Sequence, residues 1–459
     1  MTTTSDQPIF GTDGIRGRAL EGWLAPDAVE ALGRAAGAVL GPGAAGEARA
    51  LVAHDGRASA DELQRAFARG LAAAGIETTT ADLLPTPGLA WLTSDRPVAL
   101  GAMISASHNP AHDNGIKLFG GGGAKLSDAQ QAEIEVRLRE EVQRVPPGGA
   151  SAPAALEHDG TLEDAYAAHL VALGSADGAL DLTGVRVVID CANGAASRVG
   201  PRVLESLGAT VTALHAAPDG RNINDGCGST HPEALQATVT ERGASLGIAL
   251  DGDADRCILV DEVGALVDGD AIMTIIARDA ARRGAWRDPR IVATIMSNRG
   301  LHRALAPVGV GVVEVGVGDR QVVEALRTHR LELGGEKSGH VVFGAASGYI
   351  GDGLLTALHV LSVASRTGES LSSLAAPFVP LPQVLLGLAV TGKPPLESLE
   401  GFTALRSRLE EELGSAGRIN VRYSGTEPKA RIMVEGPDEA RIRTMAEELV
   451  RALEDEIGR

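Results

Sequence analysis

Aromatic side chains are scarce in this 459-residue chain: six Phe, three Trp and three Tyr, or 3%. So few rings argue against a base-stacking platform for single-stranded nucleic acid. Positive charge is also in short supply, with 42 Lys and Arg against 60 Asp and Glu and a formal charge of −18. Duplex phosphates and anionic membrane surfaces call for the opposite sign. Lysine makes up only five of those 42 basic residues. The three cysteines, Cys191, Cys227 and Cys257, form no even framework and no Cys-x-x-Cys pair. That argues against structural disulfides and zinc and fits a reducing compartment. No run approaches the ~20 apolar residues that span a bilayer. Met1 to Phe10 lacks both the basic start and the apolar stretch of a secretory signal. The expectation is a cytoplasmic protein with no nucleic-acid and no membrane partner. A small anionic substrate remains open, because a local Arg-rich cleft can oppose the global charge.

What the chain does have is glycine, 58 of them, and an ordinary 44% of hydrophobic residues. One hydrophobic core would be oversized at this length, so three or four domains are expected. Three stretches repeat one pattern of apolar run, helical periodicity and polar cluster. The first runs through Ala50 to Ala53 and Val98 to Ile104 into Ser105-Ala106-Ser107-His108-Asn109-Pro110. The second runs from Val185 to Asp190 and closes with Leu246 to Leu250 into Asp251-Gly252-Asp253-Ala254-Asp255-Arg256. The third opens at Ile291 to Met296 and ends at Leu333 before Gly335-Glu336-Lys337-Ser338-Gly339-His340. Such runs indicate α/β units with buried, largely parallel strands, and ligand groups gather at the carboxyl ends of strands in such sheets. After Gly392 the order becomes helix, strand, loop, strand, helix, which reads as a small α+β domain. A Pro/Gly/Ser linker at 145–153 and three prolines between apolar residues at 371–382 mark domain boundaries.

Each cluster has its own chemistry. Three alternating carboxylates in a tight turn can converge on one hard divalent cation such as Mg²⁺. Taken alone, the pattern divides evenly between a metal site and a solvated acidic turn. A serine ending a buried strand can carry a phosphoryl group, although a plain strand-to-helix turn is the simpler reading of Ser107 in isolation. Glu336, Ser338 and His340 offer a carboxylate, a hydroxyl and an imidazole to sugar hydroxyls. Arg422, Ser424, Gly425 and Thr426 combine a guanidinium, hydroxyls and backbone amides, the ingredients of a phosphate nest. Gly11 to Gly17 presents Arg16. Gly120 to Lys125 lacks the Ser/Thr of a nucleotide-binding loop and reads as a flexible loop.

Together the five clusters, in this order, resemble the α-D-phosphohexomutase superfamily over essentially the whole chain. Phe10 to Gly17, Ile104 to Pro110, Asp113-Asn114-Gly115-Ile116-Lys117 and Tyr423 to Pro428 resemble its glucosamine-phosphate branch most. The resemblance implies an α/β protein of three homologous sandwich-like domains with mixed sheets, plus a smaller C-terminal α+β domain, around a central cleft. The expected divisions are 1–155 with the phosphoserine loop, 156–262 with the metal loop, 263–375 with the sugar loop and 376–459 with the phosphate loop. It implies a bacterial isomerase that interconverts glucosamine 6-phosphate and glucosamine 1-phosphate, feeding UDP-N-acetylglucosamine and peptidoglycan synthesis. The implied route passes through a phosphoserine at Ser107 and glucosamine 1,6-bisphosphate, or another hexose 1,6-bisphosphate, as intermediate and activator.

By the same resemblance Asp251, Asp253 and Asp255 hold Mg²⁺ together with Ser107. Arg16, His108, Lys117 and Arg256 match cationic or acid–base positions, and Lys117 is the first candidate for the proton-moving group if nearby cations lower its pKa. Glu336, Ser338 and His340 match sugar contacts. Arg422, Ser424, Gly425, Thr426 and Arg431 match the anchor of the non-reacting phosphate. A homodimer through the first domain is also implied. The competing readings are a phosphomannomutase/phosphoglucomutase, a metal-dependent sugar phosphatase and a non-catalytic sugar-phosphate sensor. Three residues depart from the family pattern, one of them Gln321, which follows Gly318-Asp319-Arg320 where an aromatic residue is frequent. Ala254 replaces a frequent Gly, which a methyl tolerates at negative φ, and Lys337 replaces a common Gln and would bring charge near the sugar.

Overall fold

A computed structural model describes residues 8–11, 13–41, 48–144, 156–176, 178, 180–424 and 428–457. Its strands form four sheets. The first has six strands in the order Ile15–Arg18, Asp113–Gly120, Leu100–Ile104, Arg49–His54, Glu77–Leu83 and Glu157–His158. The second orders Leu266–Val267, Cys257–Asp261, Leu246–Leu250, Arg186–Asp190 and Thr210–Leu214. The third orders Gly311–Val315, Arg290–Thr294, Leu333–Gly335 and Val341–Phe343.

These three sheets share a topology. A strand that opens the unit pairs in parallel with two others: Arg49–His54, Arg186–Asp190 and Arg290–Thr294 each fill that slot. The last parallel strand then turns back into an antiparallel partner, as Leu246–Leu250 does into Cys257–Asp261. The sheets are therefore mixed, and each polar cluster is the tip of an antiparallel return. This differs from the strand-to-helix turn that Ser107 in isolation suggested. The return strands escaped the sequence pattern because they are buried on both faces and show no alternation: all five residues of Cys257–Asp261, all three of Val341–Phe343 and the inner six of the longer Asp113–Gly120 are buried.

One hydrophobic core runs through all three units. Helix Thr161–Gly174 brings Tyr166, and helix Gly353–Thr367 brings Leu358, into the same cluster as Met103, Ile248 and Ile291. The Tyr166 ring lies where a side chain at position 88 would stand, and its hydroxyl donates to Asp352 Oδ2 at 2.7 Å. Continuous burial of this kind fixes the three loop tips relative to one another.

The fourth sheet is antiparallel, Gln383–Ala389, Lys429–Glu435 and Arg418–Tyr423, covered by helices Glu400–Leu413 and Glu439–Ile457. Its core around Phe402, Ile432 and Leu449 is a separate cluster. Polar contacts tie it to the third unit: the Arg299 amide donates to Glu435 Oε1 at 2.6 Å, and Arg418 bonds the Ser297 carbonyl. Strand Gln383–Ala389 lies just beyond the boundary stretch with three prolines, whose first part, Leu371–Ala375, is a helix burying Leu371 and Leu374. It is an edge strand, where nearby proline is tolerated. Among the described residues, no helix is long and apolar enough to cross a membrane.

Candidate active site

The Ser107 loop is built around a side chain that the motif reading did not single out. Arg57, fully buried, pairs through Nε with Asp55 Oδ2 at 2.9 Å. Its other nitrogens donate to the carbonyls of Ser107 and Asn109 at 2.9 and 2.8 Å, of Asp113 at 2.9 Å, and of Pro110. One guanidinium thus collects the carbonyls of a whole turn. Asp55 also accepts from Ser105 Oγ at 2.6 Å, and Ser105 Oγ accepts from the Ser107 amide at 2.8 Å. Asn224 of the second unit clamps the same turn from outside, donating to the Ser107 and Asn109 carbonyls at 2.9 and 3.0 Å. This grip holds Ser107 in the left-handed region at φ 53, a costly conformation for a residue with Cβ.

The second loop meets the first at Ser107. Ser107 Oγ donates to Asp251 Oδ2 at 2.6 Å and lies 3.3 Å from His108 Nδ1. Backbone crowding makes this approach possible: a Cβ on Gly252 would sit 2.6 Å from the Ser107 carbonyl oxygen. Gly339 plays the same part between the second and third loops, where a Cβ would lie 2.2 Å from the Cys257 carbonyl and φ is 88.

Asp251, Asp253 and Asp255 are all buried, with carboxylate oxygens within 4.8 Å of one another. Burial, with Asp255 and Asp253 adding to it, pushes Asp251 up to about 8. Burial would raise Asp255 too, but Lys117 and His340 outweigh it and hold that carboxyl well below the usual range. Asp253 Oδ2 accepts from Lys117 Nζ at 2.7 Å and from Thr86 Oγ1 at 2.5 Å. Asp253 Oδ1 and Asp255 Oδ1 are buried with no hydrogen-bond partner among the described residues. Two orphaned carboxylate oxygens beside a third carboxylate are an incomplete arrangement, which a divalent cation would complete. The triad therefore fits a metal.

A second group of ligating side chains, Asp190, His215 and Cys227, provides a contrast. There the carboxylate is already saturated by the Ala192 and Gly228 amides and by His215 Nδ1 at 2.9 Å. Burial and Asp190 push the Cys227 thiol up to about 12. That cluster anchors the segment carrying Asn224.

The metal loop departs from expectation at Ala254, whose φ is 59 rather than negative. The left-handed turn is needed to swing successive carboxylates inward, so Ala254 carries the conformational cost that glycine would avoid. Lys117 also reverses its expectation. Burial would lower its pKa, but Asp13, Asp253 and Asp255 at 3.1, 2.7 and 3.4 Å outweigh that and raise it well above normal. The sequence placed Lys117 among cations; the fold places it among carboxylates. His108 is lowered to about 4 by burial, Arg256 and Arg16, and is therefore neutral near pH 7.

Arg256 lies in the field of Asp251, Asp255, Glu336 and Asp253. Its Nε is buried with no hydrogen-bond partner among the described residues. Arg16 pairs with Asp13 at 2.5 Å. Glu336 Oε1 accepts from the Gly318 amide at 3.0 Å, with the exposed Ser338 hydroxyl 3.4 Å from its Oε2. His340 is more buried than a sugar contact suggests, bonded to the Asp255 carbonyl at 3.0 Å and Asp319 Oδ1 at 2.9 Å. Lys337 turns toward the fourth sheet, 3.3 Å from Gln383 Oε1.

On the fourth sheet Arg422 and Arg431 stand directly opposite in adjacent strands. Facing like charges are unfavourable by themselves, and burial together with Arg431 holds Arg422 below its usual pKa. An anion would resolve that repulsion. Ser424 is buried beside this pair of strands, while Gly425 and Thr426 lie outside the described residues. Asp55, Arg57, Thr86 and Asn224 were absent from the motif reading. Asp55-Gly56-Arg57 follows strand Arg49–His54, so the rule that located the other clusters reaches it too.

Family comparison agrees with this architecture in order and extent. Residues 7–145, 164–264 and 268–380 match the phosphoglucomutase/phosphomannomutase alpha/beta/alpha domains I, II and III, and residues 385–452 match its C-terminal domain. The chain belongs to the phosphoglucomutase/phosphomannomutase family. Among its relatives, the phosphoglucosamine mutase of Symbiobacterium thermophilum is 45% identical over 450 residues, covering 98% of this chain and 99% of that one. The phosphoglucosamine mutase of Rhodococcus jostii is 45% identical over 442 residues, covering 96% and 98%. A solved phosphoglucomutase/phosphomannomutase family protein from Burkholderia thailandensis superposes with a TM-score of 0.80 at 26% identity, covering 98% of each chain. The N-acetylphosphoglucosamine mutase of Aspergillus fumigatus shares the fold with a TM-score of 0.64 at 18% identity, covering 97% and 95%.

Proposed function

We infer that this chain is a phosphoglucosamine mutase, interconverting glucosamine 6-phosphate and glucosamine 1-phosphate. Near-full-length identity to proteins of that name supports the reaction. The observation that carries the chemistry is Ser107 Oγ, 2.6 Å from one carboxylate of an incomplete acidic triad.

In this reading Ser107 works as a phosphoserine. Its P–Oγ bond breaks as a new bond forms between phosphorus and O1 of glucosamine 6-phosphate. The resulting 1,6-bisphosphate turns over, and Ser107 takes back the phosphoryl group from O6. Asp251, Asp253 and Asp255, with an oxygen on Ser107, would hold Mg²⁺, which when bound offsets the charge on the transferring group. Lys117 Nζ, 3.1 Å from Asp13, 2.7 Å from Asp253 and 3.4 Å from Asp255, ties the acidic loop to the first unit. His108, its Nδ1 3.3 Å from Ser107 Oγ, is placed to orient the serine oxygen, which lies across the phosphorus from the attacking sugar hydroxyl in an in-line transfer. Arg16 and Arg256 bring positive charge to the same place. Glu336 and Ser338 take the sugar hydroxyls, a contact that both orientations can share. Arg422, Arg431, Ser424, Gly425 and Thr426 hold the phosphate that does not react.

The test is purified protein with Mg²⁺, trace glucosamine 1,6-bisphosphate and each of the two glucosamine phosphates. Interconversion is expected, with a phosphoryl adduct in the intact mass that a Ser107→Ala variant lacks. Stoichiometric release of inorganic phosphate, or turnover preserved in Ser107→Ala, would contradict the mutase reading. Comparing kcat/KM for glucosamine, glucose and mannose phosphates sets the sugar preference.

A further inference from the structure

Six side chains behind the metal loop form a closed ring in which carboxylates and nitrogen bases alternate. Lys125 Nζ lies 2.7 Å from Asp319 Oδ2, and Asp319 Oδ1 lies 2.9 Å from His340 Nε2. His340 Nδ1 bonds the Asp255 carbonyl at 3.0 Å and lies 3.7 Å from its carboxylate. Asp255 lies 3.4 Å from Lys117 Nζ, Lys117 lies 3.1 Å from Asp13, and Asp13 Oδ1 returns to Lys125 at 2.5 Å. The first unit supplies Asp13, Lys117 and Lys125, the second Asp255, the third Asp319 and His340. Every bond between units in this ring crosses from one of the three homologous sheets to another.

Lys125 sits opposite Asp255 in the ring and comes from Gly120 to Lys125, the stretch whose sequence suggested only a flexible loop. The structure gives that stretch a defined turn: the Gly120 amide donates to the Ala124 carbonyl at 3.0 Å, and Gly123 takes φ 73 where a Cβ would meet the Ala90 carbonyl. Lys125, Asp319, His340 and Asp255 also line a cavity of about 490 Å³ between the first and third units.

We propose that Lys125 is a positioning residue: its ammonium, bridging Asp13 and Asp319, fixes Asp255 through both arms of the ring and so sets the metal affinity of the acidic triad. The proposal rests on the mutase reading for its catalytic meaning but not for its geometry. Without the ammonium, Asp13 and Asp319 face each other as like charges. Asp13 is then free to draw Lys117 off Asp253 and Asp255, and Asp319 to draw His340 off Asp255. Partners one step removed from a metal ligand, here Lys117 and His340, typically change metal affinity by roughly 10–100-fold, and Lys125 acts through them from further out, so its effect falls at or below the low end of that range.

The test is calorimetric titration of the dephosphorylated full-length protein with Mg²⁺ alone. Lys125→Met should weaken Mg²⁺ binding measurably, by up to about 10-fold, Asp319→Asn should do likewise, and Lys125→Arg should restore most of the affinity. The double variant should be no worse than the weaker single one, because the arms form one circuit. Arg320→Leu is the control, since Arg320 joins the same units by bonding Asp128 and the Leu126 carbonyl outside the ring. It should bind Mg²⁺ as the unaltered protein does. In turnover, Lys125→Met should lower kcat while leaving KM for the sugar phosphate near its original value. Unchanged Mg²⁺ affinity in Lys125→Met, or equal weakening in Arg320→Leu, would overturn the proposal. If Lys125→Met fails to fold, Lys125→Arg and Asp319→Asn carry the same comparison. An unaltered protein that binds Mg²⁺ but turns over no hexose phosphate would refute the functional reading alone, leaving the titration to decide the role of Lys125.

Discussion

Replacing Arg57 by Lys and by Met separates charge from shape in the clamp beneath Ser107. The guanidinium serves five acceptors: the Asp55 carboxylate and the carbonyls of Ser107, Asn109, Pro110 and Asp113. An ammonium has three donors, so at least two acceptors lose their bond. Ser107 and Asn109 keep Asn224, and the Pro110 carbonyl keeps the Asp113 amide at 3.1 Å. The loss is therefore at the low end of the range for buried polar groups, about 2 kcal/mol in all. Arg57→Met removes the charge as well and leaves Asp55 buried with only neutral donors. Breaking a buried pair from one side costs roughly 3–5 kcal/mol. Equilibrium urea unfolding should rank the proteins as Arg, Lys, Met. Amide exchange should locate the change, with residues 105–113 losing protection in Arg57→Lys before the rest of the chain does. Equal stability of all three proteins, or exchange in 105–113 untouched while distant segments loosen, would refute the clamp.

Three further outcomes follow from the site and the units around it. Asp253→Asn preserves an oxygen for Lys117 and Thr86 but puts an amide where the orphaned oxygen stands. Turnover and Mg²⁺ binding should both fall, beyond the roughly 10–100-fold typical of an outer partner, with melting nearly unchanged; near-normal activity would contradict the metal assignment. Burial, then Asp268, raises Asp270 to about 7, so the folded state keeps a proton that the unfolded state releases above about 3.8. Its contribution is present below that lower value and lost as pH rises toward 7, a loss that Asp270→Asn should abolish in melting curves taken across that window. Finally, the fourth unit has its own core and polar ties to the third, so bisphosphate should draw it inward. Small-angle scattering should show a smaller radius of gyration with ligand, and identical profiles would count against closure.

Much of the site was legible because its residues come in short, contiguous runs after apolar strands. Ser107, the three aspartates and Glu336 each lie at a strand tip, where the pattern predicts a ligand group. The ring and the clamp were not legible, because their members are far apart in the chain and only packing brings them together. Lys125 and Asp319 share no motif, and neither do Thr86 and Asp253. Lys117 shows why charge state is hard to read from a motif: the sequence grouped it with cations, while the fold sets it beside Asp13, Asp253 and Asp255, which raise its pKa. Ala254 shows the backbone equivalent, a residue type that hides a left-handed turn. The fold class followed from the repeated apolar runs, whereas the antiparallel returns lacked the alternation that would have announced them.

The Arg57 clamp also has a consequence for how the chain is made. Ser107 and Asp251 are 144 positions apart, which at ribosomal rates of about 5–20 residues per second is roughly 7–30 s of synthesis. During that interval the Ser107 turn exists without the acidic loop that will accept its hydroxyl. Asp55, Arg57 and the carbonyls of 107–113 all belong to the segment already made, so the clamp can close before Asp251 leaves the ribosome. The left-handed serine can thus be set early, as a preformed seat that the acidic loop meets when it arrives.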